Sequence, residues 1–309
     1  MSTINDTRFQ YQVFLLSGIP GKEDVYCWIS IPFCLMYVTS IVGNSFIVFV
    51  IKTNPSLHEP MYIFLSMLAI TDLALSITTM LTTLGIFLLN SREISLDACF
   101  VQVFFIHSLT CIESSVLLLM AFDRLIAICE PLRYASILTP QRIGKMWLVC
   151  VLRGVVIMFP FPILLKQFQY CRENVLSHSY CTHGDVMTMS CSDITVNSIY
   201  GLYVALLTEG LDSLLIFFSY VMIFKTVLSI TSHTECLRAL NTCISHLCAV
   251  FLFYTPLIGL TMIHRFGKNS LLQIVLGYVY LLFPPLMNPI VYTVKSKQLR
   301  SRTLKIFVN

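Results

Sequence analysis

Long apolar stretches dominate this sequence, and short polar segments separate them. A helix needs about 20 apolar residues to cross the hydrocarbon core of a bilayer, and seven stretches reach or exceed that length. They lie at about 28–51, 61–89, 100–128, 143–165, 197–230, 239–263 and 271–294. Pro60 and Pro140 mark two of the breaks between them. The pattern predicts an all-α membrane protein in which residues 1–309 form one domain, a bundle of seven transmembrane helices.

The third stretch carries ionisable residues at positions where lipid makes them costly. Cys99 lies at one end, His107 and Glu113 lie inside, and the pair Asp123 and Arg124 lies at the other end. Ionisable groups within a membrane usually face the protein interior or a functional path. The third stretch is therefore predicted to be the central helix of the bundle.

The composition supports a membrane protein and argues against nucleic acid as a partner. Apolar residues make up 56% of the chain and charged residues 12%, whereas soluble domains contain about 25% charged residues. The net charge of +4 is small and dispersed, so nucleic acid is not an expected partner. The first 25 residues show no cleavable signal peptide, and the first span is expected to direct insertion.

The distribution of basic residues predicts the orientation. With the N-terminus outside, 12 of the 20 Lys and Arg residues fall in inner segments and seven in outer ones. Residues 1–26 then form an extracellular tail with one N-glycosylation triplet at Asn5. Residues 295–309 form a cytoplasmic tail that alternates basic and apolar residues, as in a short amphipathic helix on membrane lipid.

Four of the 12 cysteines fall in segments predicted to lie outside, where disulfides can form. Cys99 opens the third span, and Cys171, Cys181 and Cys191 lie in the long loop at about 166–196. Sequence alone allows three pairings of these residues. The apolar stretches hold other cysteines, which are interpreted as small buried hydrophobic residues. The sequence contains no zinc-type cysteine and histidine spacing and gives no reason to expect a cofactor.

A set of polar residues lies at mid-span in different helices. The set consists of Asn44, Asp72, Glu113 and Asn288. One interpretation is hydrogen bonding between helices. The other is a site for water or a cation.

Several motifs in sequence order resemble those of vertebrate olfactory receptors. They are LHEPMYIFLSMLAITDLALS (57–76), MAFDRLIAICEPLRYASILT (120–139), SHSYC (177–181), LNTCISHLCAVFLFYTP (240–256) and PPLMNPIVYTVKSKQLR (284–300). The chain resembles the class I, fish-like branch of these rhodopsin-like G-protein-coupled receptors. The resemblance implies a plasma-membrane receptor that binds a small odorant, such as a carboxylic acid, and activates a heterotrimeric G protein that raises cyclic AMP. It also implies disulfides between Cys99 and Cys181 and between Cys171 and Cys191, and related receptors bind sodium in the mid-span polar region.

The resemblance assigns a switch and a ligand set to particular residues. Asp123 would restrain Arg124 at the inner end, although a pair of interface residues is the simpler interpretation. The partners of Arg124 after release would be Tyr220 and Tyr292. The ligand set, with Arg265 as the anchor for an anion, is His107, His183, Thr261 and Arg265. The alternatives are an ordinary core histidine for His107 and an interface anchor for Arg265.

Some residues depart from the pattern of the family. Leu125 replaces a tyrosine that usually follows the Asp-Arg pair, and Gly184 stands where relatives often have glutamine. Glu209 would oppose an anionic ligand if it is ionised and faces the cavity, or would be a protonated contact within the bundle. Arg153 and Asp212 lie at membrane depth and receive no role from the sequence.

Other functions remain open but are less favoured. A receptor of the same class could sense a small metabolite outside the olfactory system. A transporter or channel would show internal repeats or broken helices, and no repeat is evident. A retinal photoreceptor needs a lysine in the seventh span, and residues 271–294 contain none. The common enzyme motifs are also absent from the sequence, so an enzyme is not expected.

Overall fold

The structure, a computed structural model, describes residues 12–19, 21, 25–171, 174–229, 233–266 and 270–308. Within these ranges, seven helical spans are long and apolar enough to cross a membrane. The predicted seven-transmembrane bundle is therefore confirmed. The predicted glycosylation site at Asn5 lies outside the described residues. In chain order the helices are α1 (Tyr26–Thr53), α2 (Pro60–Leu89), α3 (Leu96–Cys129), α4 (Tyr134–Ile137), α5 (Pro140–Met158), α6 (Pro160–Lys166), α7 (His183–Thr188), α8 (Thr195–Ala205), α9 (Leu211–Leu228), α10 (His233–Phe266), α11 (Ser270–Lys295) and α12 (Lys297–Val308).

Local sequence signals set several helix ends. Pro60 and Pro140 occupy the first positions of α2 and α5, where a missing backbone N–H costs nothing. The hydroxyls of Ser95 and Thr139 cap α3 and α5 by accepting a backbone N–H. Helix α2 ends at Leu89, and the left-handed backbone of Asn90 (φ 50°) caps it.

Two of the spans are interrupted. The fourth span consists of α5 and α6, which meet at Phe159 before Pro160. The fifth consists of α8 and α9 joined by a π-helical turn at Leu206–Gly210. A π turn changes the direction of side chains and carbonyl groups relative to a regular helix. In this case the Thr208 carbonyl accepts a hydrogen bond from Ser114 of α3.

A small sheet covers one end of the bundle. Strand β1 (Val13–Leu16) pairs antiparallel with β2 (Glu93–Ser95) and parallel with β3 (Val175–Leu176). Phe14 and Leu16 point from alternate positions of β1 into the core. The tail predicted as polar therefore contains a strand. The alternation over four residues was too short to identify it from sequence.

Helix α3 lies at the centre of the bundle, as predicted. It packs against α2, α5, α9 and α10. Gly154 allows α5 to approach α3 closely, because an added Cβ would lie 2.7 Å from Ile112 of α3. Apolar side chains such as Leu81 and Phe251 are exposed on the outer surface of the bundle. Polar side chains such as Asp72 lie inside.

The two ends of the bundle differ in chemistry. The end that carries Cys99 and Cys181 is named here the disulfide end. The end that carries Asp123 and Arg124 is named the arginine end. Helix α12 follows α11 directly at the arginine end and buries Leu299 against the bundle.

Candidate functional site

A cavity of about 530 Å³ opens near the disulfide end. Side chains of α3, α8, α10 and α11 form its walls, and the segment from His178 to Thr188 lies over it. This volume falls in the range of small-molecule sites, which are mostly apolar with a few placed polar groups. The walls follow that pattern, with Ile106, Val204 and Leu257 among the apolar residues.

Two histidines meet on one side of the cavity. The backbone N–H of His183 donates to Nε2 of His107 at 3.4 Å. Nε2 of His107 is therefore an acceptor, so in the neutral ring the proton lies on Nδ1. The ring of His183 packs on Phe161 at 4.2 Å between centroids and contacts Asn197 at 3.3 Å. A Cβ on Gly201 would approach the His183 ring to 3.4 Å.

The other side of the cavity carries hydroxyl groups and a carboxylate. Thr261 of α10 donates to Glu209 of the π turn at 3.5 Å. Thr110 and Tyr280 are hydrogen-bonded to each other deeper in the cavity. The structure thus brings His107, His183 and Thr261 to one cavity. Arg265 lies one helical turn beyond Thr261, and its side chain is outside the described part of the chain.

Disulfides hold the long loop against the bundle. Cys99 of α3 joins Cys181, and Cys171 joins Cys191 within the loop. The backbone N–H of Cys181 also donates to Gln102 of α3 at 2.9 Å. The loop segment next to Cys181 is therefore fixed directly above the cavity.

A buried polar network lies below the cavity. Arg153 donates to Asp212 at 2.7 Å and to Ser115 at 2.8 Å. Asp212 also accepts from Ser114 at 2.7 Å, and Ser114 lies 2.8 Å from the hydroxyl of Tyr254. The two charges left without a role by the sequence therefore neutralise each other and join four helices.

The mid-span polar set lies between this network and the arginine end. Asn288 donates to Asp72 at 3.0 Å, and Asn44 donates to the carbonyl of Pro285 at 2.8 Å. Among the described residues, Asp72 Oδ1, Glu113 Oε1, Asn44 Oδ1 and Asn288 Oδ1 are buried without a hydrogen-bond partner. Oxygen atoms of this kind are the ligands that hard cations take. In the same part of the chain, no group of three or more His, Cys, Asp or Glu residues is arranged to hold a metal ion.

At the arginine end, Arg124 turns back to its own neighbour. Its Nε donates to Asp123 at 2.9 Å, and Asp123 also accepts from Tyr134 of α4 at 2.7 Å. Burial and the charge of Asp123 raise the pKa of Tyr134 above its ordinary value. Asp123 thus restrains Arg124 from the adjacent position, and a loop tyrosine fixes Asp123 in turn.

The tyrosines expected as partners of Arg124 bond elsewhere in this structure. The hydroxyl of Tyr220 lies 2.7 Å from Nδ1 of His246. Nε2 of His246 donates to the Leu117 carbonyl at 3.0 Å, so Nδ1 accepts from Tyr220 in the neutral ring. Tyr292 donates to the sulfur of Met120 at 3.9 Å. His246 therefore links α10 to α3 and α9.

Sequence reasoning missed the roles of several residues in these contacts. His246 lies inside a quoted motif, but its partners come from distant helices. Tyr134 likewise lies in a quoted motif beside the arginine end. Arg153 and Asp212 could have been paired as opposite charges at membrane depth.

The comparisons with known proteins agree with this geometry. The family model described as "Olfactory receptor" matches residues 33–309. Human olfactory receptor 51G2 is 61% identical over 296 residues, which cover 95% of this chain and 94% of the relative. Human olfactory receptor 51G1 is 54% identical over 309 residues, which cover 99% and 96%. The crystal structure of squid rhodopsin shares the fold at a TM-score of 0.75 and 18% identity, with 94% of this chain and 87% of that chain covered. The chain therefore belongs to the olfactory receptor family and is a seven-helix plasma-membrane signalling receptor rather than an enzyme.

Proposed function

We propose that this receptor binds a small polar odorant in the cavity and activates a G protein of the stimulatory, cyclic-AMP-raising type. The observation that carries the proposal is the cavity itself, which has mixed polar and apolar walls and a roof fixed by disulfides. In this proposal the disulfide end and the N-terminus are extracellular. The arginine end and α12 face the cytoplasm and the inner lipid leaflet.

The ligand set consists of His107, His183, Thr261 and Arg265. His107 and His183 are supported by their place in the cavity wall, where their imidazoles form a polar patch beside Phe161. Thr261 is supported by its place in the cavity wall, where it donates to Glu209. Arg265 follows Thr261 by one turn, and residues four apart lie on the same helix face. A guanidinium there would offer two parallel donors to a carboxylate.

Transmission to the inner face runs through contacts between helices. A ligand shifts a two-state equilibrium by its differential affinity for the two states. Tyr254 of α10 lies below the cavity and contacts Ser114, while His246 ties the same helix to α3 and α9. We expect activation to break the His246 contacts and free Arg124 from Asp123. Tyr220 and Tyr292 would then turn toward Arg124, and the groove between the helices would bind the G protein.

The mid-span polar set would hold sodium in the inactive state. Support comes from one buried oxygen atom on each of Asn44, Asp72, Glu113 and Asn288, which has no hydrogen-bond partner in the part of the chain that the structure describes. Sodium titration of the agonist response, in wild type and in Asp72→Asn or Glu113→Gln, tests this site. Salt dependence should weaken in the variants, and an unchanged dependence would exclude the site.

The central experiment is a ligand screen in cells that report cyclic AMP. Short- and medium-chain acids, alcohols and esters are applied to wild type, Arg265→Ala and Arg124→Ala. We expect Arg265→Ala to lose at least about tenfold in potency for an acid, since a hydrogen bond to a charged group contributes about 1.5 kcal/mol or more. Its response to alcohols and esters should remain.

The two variants test separate roles, ligand binding by Arg265 and G-protein activation by Arg124. Equal responses of wild type and Arg265→Ala to an acid agonist would remove Arg265 from the ligand set. Arg124→Ala should reach the cell surface but fail to raise cyclic AMP with any agonist. A full response of Arg124→Ala would contradict the proposed switch.

A further inference from the structure

The roof of the cavity contains a short helix held by a histidine and an aspartate. Helix α7 (His183–Thr188) begins after Thr182, whose hydroxyl accepts the backbone N–H of Asp185 at 3.2 Å. His178 precedes this helix in the same loop and also lines the cavity. His178 and Asp185 are named here the roof pair.

Both nitrogens of the His178 ring face acceptors. Nδ1 lies 2.6 Å from a carboxylate oxygen of Asp185. Nε2 lies 3.4 Å from the backbone carbonyl of Gln273 in α11. A carbonyl oxygen cannot donate, and an ionised carboxylate cannot either. A neutral imidazole carries one N–H and satisfies one of these contacts, whereas the imidazolium satisfies both.

Asp185 is held from two further directions. Its Oδ2 accepts from the hydroxyl of Thr182 at 2.9 Å, and its Oδ1 accepts from the side-chain amide of Gln273 at 3.2 Å. The roof pair therefore connects α7 to α11 through Gln273, which contacts both members. Deprotonation of His178 would remove the donor from one of its two contacts, either the one with the Gln273 carbonyl or the one with the Asp185 carboxylate.

The surroundings leave little room for water to replace a lost contact. The side chains of His178 and Asp185 are 1% and 7% exposed. An added Cβ on Gly277 of α11 would lie 2.9 Å from the His178 ring and 2.5 Å from the hydroxyl of Tyr180. The glycine allows the helix backbone to pack directly on the ring. A buried polar group that loses its partner here costs free energy that solvent does not return.

The charges around His178 favour its protonated form. Burial lowers the pKa of His178, but the hydrogen bond and the charge of Asp185 raise it by a larger amount. The pKa of His178 therefore lies above its ordinary value. Among the described residues, the titratable groups around His178 include Asp185, Tyr180 and His183 of the loop, Tyr37 of α1, Tyr278 and Tyr280 of α11, and His107 and Glu209 of the cavity wall.

We propose that the roof pair is a proton-dependent positioning device that holds α7 over the ligand cavity through its contacts with α11. His178 and Asp185 act by placing the loop, including His183, over the cavity. The stabilising contribution is fully present below about pH 6.5, the ordinary pKa of histidine. It is lost as the pH rises through the raised pKa of the folded protein.

Hydrogen exchange on the purified receptor in nanodiscs tests the device without an agonist or a G protein. Amide protection of residues 183–188 is measured at pH 6.0 and 8.5 and corrected for the intrinsic pH dependence of exchange. We expect wild type to lose about tenfold in protection at pH 8.5, the lower end of what a hydrogen bond between charged groups contributes. His178→Gln and Asp185→Asn should show the same protection at both pH values.

His183→Gln is the matched control, because it removes the other histidine of this loop and leaves the roof pair intact. It should keep the pH dependence of wild type. Equal protection of wild type at both pH values would overturn the proposal even if no variant folds. An unchanged pH dependence in His178→Gln would overturn it as well.

The consequence for signalling rests on the proposed function. An alcohol or ester agonist from the screen does not titrate in this range, so its potency reports on the receptor alone. Potency in wild type should fall between pH 6.5 and 8.5, and potency in His178→Gln should not change over this range. A pH effect in exchange without one in potency would contradict the role in ligand binding. A pH effect on roof exchange in a receptor that fails to raise cyclic AMP would count against the proposed function alone.

Discussion

The ion pair between Arg153 and Asp212 provides a quantitative test of the bundle core. Arg153 donates three hydrogen bonds, to Asp212, Ser115 and the Leu207 carbonyl, at 2.7 to 2.9 Å. The side chain of Asp212 is 2% exposed, while that of Arg153 is 22% exposed. Removing Arg153 would therefore leave a carboxylate with almost no access to water. Removing Asp212 would leave an unpaired guanidinium at membrane depth.

The expected losses in the free energy of unfolding follow from the burial of this pair. Breaking a buried pair by removing one partner costs about 3–5 kcal/mol, whereas replacing both partners with apolar residues is often close to neutral. Arg153→Met should thus lower the free energy of unfolding by at least about 3 kcal/mol. Asp212→Asn should lose less, because the amide oxygen still accepts from Arg153. The double variant Arg153→Met with Asp212→Leu should be more stable than Arg153→Met alone.

Thermal unfolding of purified receptor in one detergent measures these losses. For domains of about 150–250 residues, Tm falls by about 2 °C or more per kcal/mol of lost stability. By this conversion, Arg153→Met should lower Tm by about 6 °C. Arg133→Met is the control, because its pair with Glu130 is exposed at 73% and 44%. Such surface pairs contribute at most about 1 kcal/mol. If the double variant is less stable than Arg153→Met, or if Arg153→Met matches the control, the pair does not stabilise the core as argued.

Two further predictions concern packing and covalent links. Gly154→Ala should lower the free energy of unfolding by about 1–3 kcal/mol, since the new Cβ would lie 2.7 Å from Ile112. Gly144→Ala is the control, because no neighbouring atom of the described residues lies within 4 Å of its new Cβ, and it should not be destabilised in the same Tm measurement. Cys99→Ser removes a disulfide whose cysteines are 82 residues apart, and Cys171→Ser removes one whose cysteines are 20 residues apart. Loop entropy predicts that the free energy of unfolding falls by about 4.5 kcal/mol in the first variant and about 3.3 kcal/mol in the second. Surface expression and Tm should fall further for Cys99→Ser, and the reverse order would refute the entropic account.

The sequence alone identified the architecture because hydrophobicity over 20 residues is a local property. Each span can be identified from its own residues, without information about the neighbouring spans. The motif around Asp123 and Arg124 indicated the receptor class. The polar set that includes Asp72 and Glu113 was also evident, since ionisable residues in an apolar run are rare. The strand at Val13–Leu16 was not evident, because its partners lie about 80 and 160 residues further along the chain.

Pairing between distant side chains was decided by tertiary structure. Whether Arg153 reaches Asp212, or Tyr220 bonds to His246 rather than Arg124, depends on the depth and rotation of separate helices. A rotation of one helix by a single residue, about 100°, moves a side chain to another face. The sequence therefore determined which chemical groups enter the membrane. The packed bundle determined which of them meet, because only packing fixes the rotation of each helix.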